Sequence, residues 1–465
     1  MTTTTHQAVE PEFRWLVILV SIGFFMQALD TTIVNTAIPA MAIQLNENPL
    51  QMHSVIVAYV LSVAACIPLS GWLADRFGIR NIYLSSMVIF SLASLGCGLS
   101  QNLEQLLFFR VIQGIGGALL MPVGRLALLK LIPRSQFLSA MSLMSLAGLI
   151  GPLMGPTLGG WLVEVTTWHW IFLINLPMGI LGMIMTFKIM PNQKEPTVKT
   201  FDFSGFILLM VAMVGLSLGI ENMASSQYSN LVSISLLLIG IIATVSYAYH
   251  AHTHQNALFH GRLFRYKIFS IGVLGNFFAR LGSNAIPFIL PLMLQVAFGF
   301  EPFITGLMMI PLVLGSLFSK PIIRPLIQRV GYRRFLLTNT ILVGLCIASF
   351  SLITAVTPLW LKVLHLFIFG TLNSLQFVGM NTLTLKDLPQ HDASSGNSFL
   401  SMIMMLSMSI GVAMAGTLIN LFSQHFSTTS ISSAFHATLI TLGCINIITA
   451  IIFWQIPKET TDESP

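Results

Sequence analysis

Apolar residues in this chain gather into runs of roughly twenty, the length a helix needs to cross ~30 Å of hydrocarbon. The runs fall near 15–37, 52–73, 81–100, 104–126, 137–161, 168–190, 204–222, 231–250, 268–295, 302–320, 335–355, 359–383, 394–421 and 434–456. Polar segments separate them. The pattern predicts an all-α polytopic membrane protein of 14 transmembrane helices, with both termini on one side. The first run, Trp15–Ala37, has no small-residue cleavage site after it and is followed by further spans, so it is expected to insert and stay.

The basic residues orient the chain. Arg14, Arg76, Arg80, Arg125, Lys130, Arg134, Lys188, Lys194, Lys199, Arg262, Arg265, Lys267, Lys320, Arg324, Arg329, Arg333, Arg334, Lys386 and Lys458 fall in alternate connections. These are 19 of the 22 basic residues, whereas the opposite connections hold Lys362 alone. By the positive-inside rule the first set is cytoplasmic, and both termini with it. Arg110 and Arg280 lie within spans.

Composition narrows the class. Of 465 residues, 55% are hydrophobic and 8% charged, against roughly 25% charged in ordinary globular chains. So few charges could not cover a soluble protein of this size. The net charge of +6 comes from residues flanking spans, which argues against nucleic-acid binding. Cys66, Cys97, Cys346 and Cys444 all fall in apolar runs without a CxxC pair, and read as small core hydrophobes. With no metal-ligand spacing, nucleophile constellation or phosphate loop, the chain predicts neither enzyme nor cofactor, and energy from a gradient.

The two halves match at an offset near 255, the mark of a duplicated bundle. Gly71-Trp-Leu-Ala-Asp75-Arg76-Phe-Gly78-Ile-Arg80 aligns with Arg324-Pro-Leu-Ile-Gln328-Arg329-Val-Gly331-Tyr-Arg333. Lys130 and Pro133 recur as Lys386 and Pro389, Gly155 and Gly160 as Gly411 and Gly416. Spans seven and eight have no counterpart. The predicted organisation is a tail over 1–14, a six-helix bundle over 15–190, a linker with two inserted helices over 191–260, a second six-helix bundle over 261–456, and a tail over 457–465.

Two motifs carry a physical logic. In the loop 71–81, Gly71 would allow close helix approach, Gly78 a tight turn, and Asp75, Arg76 and Arg80 charge contacts that gate the cytoplasmic rim, or simply a charged connection. Span five carries Gly148, Gly151, Pro152, Gly155, Pro156, Gly159 and Gly160, a series that lets backbones approach while the prolines bend the helix.

Together with Arg110-Val-Ile-Gln113-Gly114-Ile-Gly116-Gly117-Ala118, Leu29–Pro39 and Trp168–Pro177, these segments resemble the major facilitator superfamily, in its fourteen-span drug:proton antiporter branch (the EmrB/QacA type). The resemblance covers nearly the whole chain. It implies the major facilitator fold and efflux of small organic molecules, multidrug type, across the bacterial cytoplasmic (inner) membrane in exchange for protons. It also implies a central cavity among spans one, four, nine and twelve, and ties the glycine–proline helix to exporters. Gln328 stands where the first rim motif has Asp75, which puts the second rim's charge relay in doubt.

Asp30 is the carboxylate deep inside a span, where a charge costs about 2.5–3.5 kcal/mol on insertion scales. Counting at about 1.5 Å per residue places it roughly 10 Å from the outer end of span one, and Arg110 equally deep in span four. The two are expected to pair. Either Asp30 carries the coupling proton, loading in an apolar setting and releasing beside Arg110, or the pair is a structural lock. Asn276, Arg280 and Asn284 form an i, i+4, i+8 stripe on span nine, with Ser283 beside it. Gln27, Asn35 and Gln113, with His365, Asn373 and Gln376 of span twelve, complete the expected cavity lining; His365 reads equally as a core histidine. Two buried arginines against one carboxylate would favour an anionic metabolite, siderophore or metal chelate over a cationic dye. Met402, Met404, Met405, Met408 and Met414 of span thirteen read as core filling or as an adaptable pocket lining, and the His250–His254 tract with His260 as a solvated cytoplasmic loop or a metal-binding tract. The expected partners are a small-molecule substrate, protons and membrane lipids, with the chain working as a monomer.

Overall fold

The computed structural model describes residues 10–195, 200–224, 230–254, 256–425 and 431–457; Lys199, Lys458 and most of both predicted tails lie outside them. Every regular element among the described residues is helical. Thirteen helices are individually long and apolar enough to span: Pro11–Leu45, Pro49–Phe77, Ile79–Gly98, Leu103–Leu131, Ser139–Val165, Trp170–Ile189, Phe203–Glu221, Leu231–Thr253, Lys267–Ala297, Tyr332–Leu352, Leu359–Lys386, Ser395–His425 and Ile431–Trp454. The predicted tenth span is a pair, Pro302–Phe318 and Lys320–Val330, bent by 48°; counting it as one gives fourteen. The bend falls at Ser319, just before Pro321, which lacks the N–H that would continue the ladder.

The chain divides into two compact units, one of 1–201 with 301–307, the other of 202–300 with 308–465. In the first, spans one and five pack along most of their length. In the second, spans seven and eight cross closely, since a Cβ on Gly215 would meet Gly240 Cα at 2.9 Å. They also dock on span thirteen, through Ser217 Oγ–Ser409 Oγ at 2.8 Å and Thr417 Oγ1 donating to Ile220 O at 3.2 Å. The apolar core of span eight is only 22% buried and that of span nine 78%, so span eight faces outward and span nine is the centre of its bundle. Large apolar side chains such as Leu231, Ile242 and Val245 cover the outer faces while Asp30, Ser94 and Asn276 are buried, the inversion a lipid solvent demands.

The rim motif is not a loop. Ser70–Phe77 is helical, Gly78 is the turn, and a new helix starts at Ile79. Gly78 has φ 94°, ψ 145° and Gly331 has φ 77°, ψ 154°, so the repeat extends to the same left-handed turn in both units, a conformation that Cβ sterics penalise. Gly71 does not provide a close approach: a Cβ there would meet nothing within 4 Å.

Candidate functional site

Span one is helical from Pro11 to Leu45, longer than its apolar run, which places Asp30 near its middle instead of roughly 10 Å from its end. Asp30 and Arg110 are both buried and pair at 2.6 Å through Oδ2 and a terminal guanidinium nitrogen. The other carboxylate oxygen, Oδ1, accepts from Gln113 Nε2 at 2.8 Å and Asn175 Nδ2 at 3.3 Å. Ser94 Oγ accepts from the same two amides, at 2.8 and 3.4 Å. Arg110 is held in turn: the nitrogen that binds Asp30 also donates to Gln113 Oε1 at 2.7 Å, Nε donates to Val55 O at 3.1 Å, and the guanidinium lies 4.2 Å from the Tyr59 ring centroid and 5.6 Å from that of Phe172. Five spans of the first unit thus meet around the pair, three of them at the carboxylate itself.

Gln113 was expected to line a cavity; it instead completes the ion pair. Ser94, Tyr59 and Asn175 are members that sequence reasoning missed. Asn175 sits inside the Trp168–Pro177 motif, the signal from which it could have been found. Gln27 and Asn35 are buried on span one, and Gln27 Oε1 has no donor among the described residues.

The glycine series of span five lies directly against the helix that carries Asp30. A Cβ on Gly151 would meet Ala28 Cβ at 2.7 Å and Leu29 N at 2.8 Å, and one on Gly155 would meet Ile33 N at 3.1 Å. Gly148 faces Phe24 and Gly159 faces Ile33 and Thr36. Thr36 Oγ1 donates to Pro156 O at 3.1 Å across the same contact. Span five runs as one helix through Pro152 and Pro156. Gly160 differs, facing Pro302 and Phe303.

At the rim, Lys130 Nζ bridges Asp75 at 3.0 Å and Glu195 at 2.5 Å. Arg76 lies over Trp72 at 5.5 Å and Arg80 over Phe187 at 5.8 Å, so their charge contacts are cation–π.

In the second unit Arg280 is buried, and its Nε donates to Asn276 Oδ1 at 3.0 Å, the expected i, i+4 neighbour. A terminal nitrogen reaches Asn381 Oδ1 at 3.3 Å and the guanidinium lies 4.2 Å from the Phe377 centroid. Among the described residues no carboxylate pairs with it. Asn276 Nδ2 donates to Thr384 Oγ1 at 3.1 Å. Asn284 ends the regular helix and Asn373 is half-buried. Gln376 turns to span eleven, its Nε2 donating to Thr340 Oγ1 at 3.1 Å. His365 does not join Arg280; its Nε2 sits 3.0 Å from Ser349 Oγ and 3.1 Å from Cys346 O, with the ring stacked on Phe350 at 4.0 Å. It is a half-buried histidine held against span eleven.

Three lesser expectations change or settle. Cys444 is exposed, whereas Cys97 and Cys346 are buried. Met402 is buried, and Met404, Met405, Met408 and Met414 are half-buried. His250–Thr253 is the last turn of span eight and not a loop, and His250 pairs with Asp202.

The sequence model of the Major Facilitator Superfamily matches residues 20–411 and again 272–465. The chain is 49% identical over 454 residues, 97% of either chain, to the "Putative multidrug resistance protein MdtD" of Pectobacterium atrosepticum. It is 50% identical over 452 residues, 96% of this chain and 95% of the other, to the protein of that name in Escherichia coli O6:H1. Among solved structures it resembles a peptide transporter POT crystallised with sulfate (TM-score 0.71, 14% identity, 97% of this chain and 96% of that one). It also resembles a D-xylose-proton symporter (TM-score 0.68, 14% identity, 95% and 98%). The chain belongs to the Major Facilitator Superfamily, and is a multi-pass membrane transporter of small molecules, not an enzyme.

Proposed function

We propose that this transporter exports small organic molecules of the multidrug type from the cytoplasm in exchange for protons, as a monomer in the cytoplasmic membrane with both termini inside. The organisation is two six-helix bundles, 15–190 and 261–456, joined through the inserted pair. The observation that carries the reading is the buried Asp30–Arg110 pair with Gln113 and Asn175 on its second oxygen. A carboxylate so placed can exchange Arg110 for a proton when the helices around it move, and the glycine contacts of span five allow span one to slide against it. A cavity of about 640 Å³ in the first unit, lined by Val17, Ile18, Ile22, Phe25 and Ile150 with Arg14 as its charged member, has a size suited to a small organic cargo.

The test is transport in proteoliposomes under an imposed pH gradient. Asp30→Asn should abolish proton-driven accumulation while the purified protein keeps its helical content and monodispersity. Full retention of transport would overturn the assignment of Asp30.

A second reading, a dedicated exporter of an anionic metabolite, siderophore or metal chelate, is favoured by Arg280. Asp30 neutralises Arg110, but Arg280 is buried among amides and an aromatic ring, leaving a positive charge for a carboxylate, catecholate or chelate oxygen to meet. Anionic chelates and cationic dyes assayed side by side decide: dyes that move well and are unaffected by Arg280→Ala would remove this reading.

A further inference from the structure

The cytoplasmic ends of the inserted helices gather three ligating side chains the transport reading does not use. Asp202 is the N-cap of span seven, its Oδ1 accepting from Gly205 N at 2.9 Å, while Oδ2 accepts from Leu258 N at 3.2 Å. His250 Nε2 lies 2.9 and 3.0 Å from the two carboxylate oxygens. One helical turn on, His254 stacks its ring on that of His250, centroids 4.8 Å apart and planes at 20°. One potential ligand atom from each of Asp202, His250 and His254 falls within 4.8 Å of the others.

We propose that Asp202, His250 and His254 form a binding site for a divalent transition cation of the zinc class, which clamps the open end of the inserted helix pair. Zinc bonds of ~2.0–2.1 Å in tetrahedral array put neighbouring ligand atoms about 3.3 Å apart. The His250–Asp202 distance is already near that, and a rotation of the exposed His254 ring closes the third edge. Two imidazoles and one carboxylate suit a borderline cation, whereas magnesium and calcium prefer an all-oxygen shell. The two backbone N–H donors orient the carboxylate from behind, as outer partners of metal ligands do. The exposed side of His254 leaves a fourth position for water.

The site is tested on full-length, tag-free protein in detergent by titration calorimetry with zinc, alongside magnesium. His254→Ala leaves the Asp202–His250 contact and the helix cap in place, so it should fold as the parent does. The expected result is one saturable zinc site per chain, no response to magnesium, and a loss of at least roughly tenfold in affinity in His254→Ala. His252→Ala should bind as the parent. Zinc should also raise the unfolding temperature of the parent and not of His254→Ala. No saturable zinc binding, or the parent's affinity in His254→Ala, would overturn the proposal.

Discussion

Among the described residues each unit buries one arginine, and the two meet the same desolvation problem in opposite ways. Arg110 is neutralised by Asp30 at 2.6 Å and flanked by Gln113, Val55 O, Tyr59 and Phe172. Among the described residues Arg280 has amide oxygens and the face of Phe377 as its partners. The first is a closed set of partners whose disruption strands a charge; the second is a charge whose counter-ion must come from elsewhere. A duplicated scaffold can therefore keep its turns and helix contacts while its halves take different electrostatic roles. The rims diverge similarly: Asp75 joins a bridge through Lys130, whereas Gln328 stands at the matching position with no charge to offer.

The contrast can be broken most forcefully at Arg110. Arg110→Leu should destabilise the protein by about 3–5 kcal/mol, because it leaves Asp30 buried and unpaired. Unfolding in detergent would show this, and Asp30→Asn combined with Arg110→Gln should recover most of the loss. Arg280→Leu strands amide oxygens but no opposite charge, so about 1–3 kcal/mol is expected by the same measurement. Equal losses at the two sites would undo the distinction.

Glycine substitutions sharpen it next. Gly151→Ala should cost about 1–3 kcal/mol, since its new methyl meets Ala28 Cβ and the Leu29 backbone below contact distance. Gly71→Ala, with open space around it, should be neutral or stabilising by up to about 1 kcal/mol as a helical Gly→Ala change. At the turns, Gly78→Ala and Gly331→Ala should each cost about 1–2 kcal/mol from positive φ. The smallest effect is at the rim, where Lys130→Ala removes a partly exposed bridge to Asp75 and Glu195 and should change stability by under about 1 kcal/mol.

The amino-acid sequence by itself determined the spans and the pairing of Asp30 with Arg110. Apolar run length is a direct response to bilayer thickness, and ionised side chains within spans are rare enough to point at one another. Neutral polar residues carry no such signal. Only tertiary packing decided that Gln113 and Asn175 turn to Asp30, that Gln376 and His365 turn to span eleven, and that Gly151 is crowded while Gly71 is not. An amide or a glycine acts through whatever its helix face meets, and that face is set by helix rotation, which near-uniform apolar runs leave open. The same reason hid Asp202: its meeting with His250 and His254 depends on two helix ends arriving at one place, separated by 48 residues of chain.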